Sequence, residues 1–100
     1  MSNTVFELND TTLTVKPVGE LNSMTSPDFE EELRAHLSGV SNLIVDFENV
    51  DYISSAGIRV FLGLNQSLKN RGAEMKLIHV SDPIMSIFDM IGFRDVVTVE

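Results

Sequence analysis

Two adjacent hydroxyls, Ser54 and Ser55, stand between an apolar segment and an amphipathic one in the stretch Asp51-Tyr52-Ile53-Ser54-Ser55-Ala56-Gly57-Ile58-Arg59-Val60. A serine hydroxyl can serve as a nucleophile, a helix cap or an acceptor of a phosphoryl group, and its neighbours select among these. A nucleophile elbow reads Gly-x-Ser-x-Gly. Here Gly57 lies two residues after Ser55, but Ile53 lies two before it, so the pattern is half met. A Ser–His–acid triad would have to recruit His36 or His79. His36 reads as mid-helix on the flank of an apolar stripe, and His79 as part of a strand with apolar neighbours, so each reads as a structural histidine. Two isolated histidines and scattered carboxylates show no metal-ligand spacing. Cysteine is absent, which removes disulfides, thiolate zinc sites and redox chemistry. Neither Gly-x-Gly-x-x-Gly nor Gly-x-x-x-x-Gly-Lys-Ser/Thr occurs, so the common phosphate cradles are missing. The expectation is a chain that is not an enzyme and uses no metal and no cofactor.

A phosphorylation switch suits the serine pair better. Serine is among the best N-cap residues, so simple capping accounts for one hydroxyl. Phosphorylation would add roughly −1.5 to −2 charges and three acceptor oxygens, which a helix N-terminus tolerates through its free N–H groups and positive dipole end. The fold would survive while a partner presenting carboxylates or apolar groups would be repelled. Ala56 and Gly57 are small enough to admit a partner's backbone. Gly63 reads equally as close packing on a sheet or as a flat, contactable helix face.

The elements that position this turn follow from periodicity. Apolar and polar residues alternate over Val5 to Leu8 and Thr12 to Val18 around Asn9-Asp10, which predicts a hairpin or two short strands, the second closed by Gly19. Ser26 as N-cap, Pro27 in the first helical position and acidic Asp28, Glu30 and Glu31 predict a helix start. Phe29, Leu33 and Leu37 continue that helix toward Gly39. Leu43 to Phe47 reads as a buried strand. A helix from about Ser55 to Asn70 buries Ile58, Phe61, Leu62, Leu64 and Leu68 and stops at Arg71-Gly72. Met75 to Val80 is a strand, Ser81-Asp82-Pro83 opens a third helix ending at Gly92, and Val96 to Val99 is a last strand. The order β-β-α-β-α-β-α-β calls for one α/β domain over residues 1–100 with a mixed, largely parallel sheet, and right-handed crossovers would put consecutive helices on the sheet face.

Composition narrows the partners. The formal net charge is −8 with only seven Lys and Arg, which opposes direct nucleic-acid binding. The acidity serves solubility or steering toward a basic partner. No apolar run approaches the roughly 18 residues of a membrane span, and the first residues lack the charge pattern of a signal peptide. A soluble cytoplasmic protein without membrane insertion is expected.

The same residues resemble the STAS domain family, in particular the single-domain bacterial anti-sigma factor antagonists, over nearly the whole chain. Gly19-Glu20-Leu21 is similar to the family's Gly-Glu/Arg-Leu-Asp approach to the first helix. Leu43 to Phe47 with Val50 is similar to its hydrophobic strand and turn, and Ile53-Ser54-Ser55-Ala56-Gly57-Ile58 to its Asp-Ser-Ser/Thr-Gly-Leu signature. Met75, Pro83, Phe88 and Gly92 match the spacing of its C-terminal third. This sequence departs from the pattern at Ser54 and Asn22, where the family has aspartate, and at Ala56, where it has a small hydroxyl residue.

The resemblance implies a sheet covered on one face by helices. It implies an unphosphorylated form that binds an anti-sigma factor, itself a serine kinase, and so frees the sigma factor. Phosphorylation at Ser55 (Ser54 as runner-up) would end binding, and a serine phosphatase would restore it. The expected contact surface comprises Glu20, Asn22 and Ser23, the turn Ser54, Ser55, Ala56 and Gly57, and the helix face of Arg59, Gly63, Gln66 and Ser67. Asp46 and Asp51 are candidates for shaping the same edge, or simply a solvent contact and a turn former. Two other readings compete: a constitutive STAS scaffold subunit of a larger signalling or lipid-transport assembly, and a small serine hydrolase. Oligomeric state is left open.

Overall fold

Alternation across Asn9-Asp10 does produce a hairpin. Strands β1 (Val5–Asn9) and β2 (Thr12–Lys16) pair antiparallel with Asn9 opposite Thr12. Asp10 turns the chain with a φ of 57°, a left-handed conformation that short Asp side chains tolerate. The structure, a computed structural model, describes residues 3–100. After the hairpin come β3 (Gly19–Leu21), α1 (Ser26–Arg34), β4 (Asn42–Asp46), β5 (Val50–Ile53), α2 (Ser55–Asn70), β6 (Glu74–Ile78), α3 (Asp82–Ile91), a 3-10 turn (Phe93–Asp95) and β7 (Thr98–Val99).

The main sheet runs β1-β2-β4-β6-β7, antiparallel at the hairpin and parallel across its other pairings. Leu13, Leu43 and Met75 lie in register and are buried, as are Val15, Val45 and Leu77. Thr14, Ile44 and Lys76, one residue on, line the opposite face and are half-buried. Period-2 alternation thus sends one face to the helices and leaves the other open. Phe47 ties the helical layer together: its ring meets Phe61 of α2 at 5.4 Å and Phe88 of α3 at 6.2 Å, and Phe61 meets Phe29 of α1 at 5.8 Å. Each pair is within the range of favourable aromatic contacts.

Five expectations are corrected. The element order gains β3 and β5, which pair in parallel as a separate two-stranded sheet. Thr12 to Val18 is not one strand, because β2 stops at Lys16 before Pro17, which has no N–H to donate. Helix α1 ends at Arg34, short of Leu37 and Gly39; Leu37 is still buried, and Arg71 donates to the carbonyls of Leu37 and Val40 at 2.6 and 2.8 Å. His36 is therefore past the helix, where its ring stacks on Phe6 at 3.9 Å and its Nδ1–H donates to the Glu32 carbonyl at 2.8 Å. The final strand is only Thr98–Val99, since the 3-10 turn takes up the residues before it; Val97 is in the core and Val96 is exposed.

Candidate functional site

The β3–β5 pair brings two distant segments together. Glu20 lies opposite Tyr52 and Leu21 opposite Ile53, and the Ser54 N–H donates to the Leu21 carbonyl at 2.9 Å. The loop after β3 therefore lies beside the first turn of α2. Gly57 makes that approach possible. A Cβ at this position would come within 2.8 Å of both Ile53 Cγ1 and the Leu21 carbonyl oxygen. Gly57 was expected to admit a partner's backbone; it is buried and admits the protein's own.

The two serines divide the work. Ser54 is the N-cap, with an extended backbone (φ −97°, ψ 177°) and an Oγ that accepts from the Ala56 N–H at 3.2 Å. Ser54 is half-buried, whereas Ser55 is exposed in the first helical position and its hydroxyl takes no part in the cap. The chain thus presents one serine that holds the helix and one that is free for chemistry. The two histidines have partners elsewhere: His36 Nδ1–H donates to the Glu32 carbonyl and His79 Nδ1–H to the Asp46 carboxylate.

The neighbouring loop is stiffened by Asn22. Its Oδ1 accepts from the Met24 and Thr25 N–H groups at 2.9 and 3.0 Å, while its own N–H donates to Thr25 Oγ1 at 3.0 Å. The Thr25 hydroxyl donates to the Glu20 carbonyl at 2.7 Å, and Asn22 Nδ2 donates to Glu20 Oε1 at 3.0 Å. This reciprocal arrangement does the work of a capping box. The expected cap, Ser26, is instead inside α1, whose N-cap is Thr25; the Ser26 residue is 2% exposed and its hydroxyl has no partner.

Of the expected contact residues, Glu20, Asn22, Ser23, Ser54, Ser55 and Ala56 come together at this corner, and Arg59 follows one helical turn on. Gln66 lies about 16 Å further along the α2 axis than Ser55 and donates to Asn70 Oδ1 at 3.0 Å. Gly63 faces neither the sheet nor open solvent. The Arg34 guanidinium of α1 lies 3.7 Å from where its Cβ would be, and Arg34 also reaches Ser67 Oγ at 3.4 Å. Gly63 is thus half-buried beside the Arg34 side chain, while Gln66 and Ser67 are exposed. Sequence reasoning missed Met24, 84% exposed, and Tyr52, 48% exposed, which flank the corner. Tyr52 lies in β5, a strand too short for its alternation to be read, and Met24 is an apolar residue in a polar turn.

Asp46 does more than contact solvent. It is buried at the end of β4, where Oδ1 accepts from the Glu48 N–H and from His79 Nδ1–H, both at 2.9 Å, and Oδ2 is 3.8 Å from Lys16 Nζ. Burial pushes its carboxyl up, but the Glu48 N–H, the His79 hydrogen bond and the charges of His79 and Lys16 together hold it below the ordinary carboxylate value. His79 is not among apolar neighbours in a strand. It follows β6, is exposed, and has a left-handed φ of 58°. Asp46, Glu48 and His79 each offer a donor atom within 4.8 Å of the others, a grouping that spacing along the chain does not reveal. Asp51 is exposed within β5 and is not a turn former.

Residues 3–100 match the family model of the STAS domain. The chain belongs to the STAS domain family. Among curated STAS relatives, the anti-sigma-B factor antagonist of Staphylococcus aureus (strain NCTC 8325 / PS 47) is 35% identical over 86 residues, covering 85% of this chain and 80% of that protein. The anti-sigma-B factor antagonist of Bacillus subtilis (strain 168) is 26% identical over 91 residues, covering 91% and 84%. An anti-sigma factor antagonist from Mycobacterium paratuberculosis superposes with a TM-score of 0.86 at 17% identity, covering 99% of this chain and 85% of that one. The phosphorylated form of the Bacillus cell fate determinant SpoIIAA does so with a TM-score of 0.75 at 18% identity, covering 97% and 90%. These structures share the STAS fold described above. Among the described residues, no helix is long and apolar enough to cross a membrane.

Proposed function

We propose that this STAS domain is an anti-sigma factor antagonist whose binding is switched off by phosphorylation of Ser55. The observation that carries the reading is the division of labour at the α2 start: Ser54 caps the helix, and Ser55 stands exposed and uncommitted beside it. The names of the curated relatives support the same role. In the unphosphorylated state, Glu20, Ser23, Met24, Ala56 and Arg59 form the contact corner for an anti-sigma factor that is also a serine kinase. The kinase passes the ATP γ-phosphoryl group to Ser55 Oγ, which gives up its proton. The dianion then stands in the middle of the contact, on a chain whose net charge is already −8. The helix N-terminus accommodates it, so the partner is lost without refolding. A serine phosphatase reverses the step.

Binding to the cognate anti-sigma factor tests this. Ser55→Ala is expected to bind like the wild type and to resist release by ATP, and Ser55→Asp to bind at least tenfold more weakly. The phosphate must be located as well as detected, because Ser54 is adjacent. Phosphopeptide mapping that finds it on Ser54, or a Ser55→Asp variant that binds as tightly as the wild type, would sink the assignment. A stable stoichiometric complex with no phosphate on Ser55 in cells would favour a constitutive scaffold.

A further inference from the structure

We propose that Arg59 clasps the phosphate on Ser55, so that modification withdraws a cation from the contact face as well as adding a dianion. The inference rests on the reading of Ser55 as the phosphoacceptor. Ser55 and Arg59 are four residues apart in α2, which puts their side chains on one face with Cβ atoms about 6 Å apart. The acid N-terminal to the base is the favourable order for such a pair, and it agrees with the helix dipole.

The cations elsewhere are already engaged. Lys16 pairs with Asp46, Arg34 with Glu30, Lys76 with Glu100 and Arg94 with Asp89, while Arg71 is bound to two carbonyls. Among the described residues, that leaves Arg59 and Lys69 with neither an ion pair nor a side-chain hydrogen bond, and Lys69 is about 21 Å along the axis from Ser55. The nearby carboxylates are also occupied. Glu30, which borders the same shallow cleft as Arg59, is held by Arg34 at 2.9 Å, and Glu20 accepts from Asn22. The cleft is lined by Ser23, Ala56 and Ser26, whose buried hydroxyl has no partner. Arg59 is exposed, lines this cleft beside the first turn of α2, and has no counter-charge of its own. Arg presents a fork that matches phosphate oxygens in pairs.

The test uses the 100-residue chain with phosphoserine installed at position 55 by semisynthesis, so no kinase is needed. Phosphorus NMR follows the second ionisation of the phosphate, near pH 6 for a free phosphoserine. In Arg59→Gln it is expected to rise by roughly half a unit or more. Arg59→Lys should retain part of the effect, and Lys69→Gln none of the change. The Arg59 Nε–H signal of the unsubstituted protein should also shift when position 55 carries phosphate. Identical ionisation with Arg59 and with Gln, or an unmoved Nε–H signal, would overturn the clasp and leave phosphorylation of Ser55 standing. Absence of phosphate on Ser55 in cells would overturn the switch and leave the clasp intact as chemistry.

Discussion

The first turn of α2 and the Asp46–His79 cluster both follow the C-terminal ends of parallel strands, and they are built in opposite ways. At the cluster the polar groups are committed to one another: Asp46 accepts from Glu48, from His79 and faces Lys16. At the turn, backbone and packing do the holding. Ser54 bonds Leu21 and Ala56, and Gly57 lets α2 sit against Leu21 and Ile53. Ser55 and Arg59 are then left unspent. A count of polar residues would rank the cluster first as a functional site. Uncommitted polar groups on a rigid support rank the turn first, and that distinction depends on seeing both partners of every bond.

The largest expected effect breaks the support of the turn. Gly57→Ala forces a methyl group against a backbone carbonyl and should destabilise the domain by about 2 kcal/mol or more, measured by urea unfolding. Gly63→Ala in the same helix meets only the tip of Arg34 and should stabilise by about 0.5–1 kcal/mol. If both changes have the same sign, the claimed inward role of Gly57 is wrong.

Next comes the division between the serines. Ser54→Ala removes the cap and should cost about 1 kcal/mol, whereas Ser55→Ala should stay within about 0.5 kcal/mol of the wild type. Equal losses would mean that both hydroxyls hold the helix.

The smallest effect belongs to the cluster. The Asp46 carboxyl is held below its ordinary value in the folded state, so its ionised form contributes stability above the unfolded pKa, and that contribution disappears as pH falls through the folded value. Asp46→Asn keeps an acceptor for the Glu48 N–H and loses the charge. It should cost up to about 1 kcal/mol at neutral pH, with the gap to wild type closing on acidification. A gap independent of pH would show that shape rather than charge is what Asp46 supplies.

Periodicity made β2, β4, β6, α2 and α3 legible, because each turns a regular face to one core; β1 is nearly all exposed and is legible through the Asn9-Asp10 turn that joins it to β2. Gly92 ends α3 with a left-handed φ of 72°, as a C-terminal glycine should. Strands β3 and β5 were not legible. They have three and four residues, and only Val50 and Ile53 of β5 are buried, so there is no alternation to read. They exist because they pair with each other. The same holds for His79, which meets Asp46 only through the register of β4 beside β6.

From the sequence alone came the element types and the pair of serines at the start of α2, which follow from local propensity and pattern, while the sheet covered on one face was what the family resemblance implied. Tertiary structure decided which serine caps and which is free, that Gly57 serves the interior, that Arg34 of α1 lies beside Gly63, and that Arg59 has no acidic partner among the described residues. The reason is one of range. Spacing along a chain constrains neighbours within a turn or a strand, whereas a group's freedom to do chemistry depends on whether distant residues have already used its bonds.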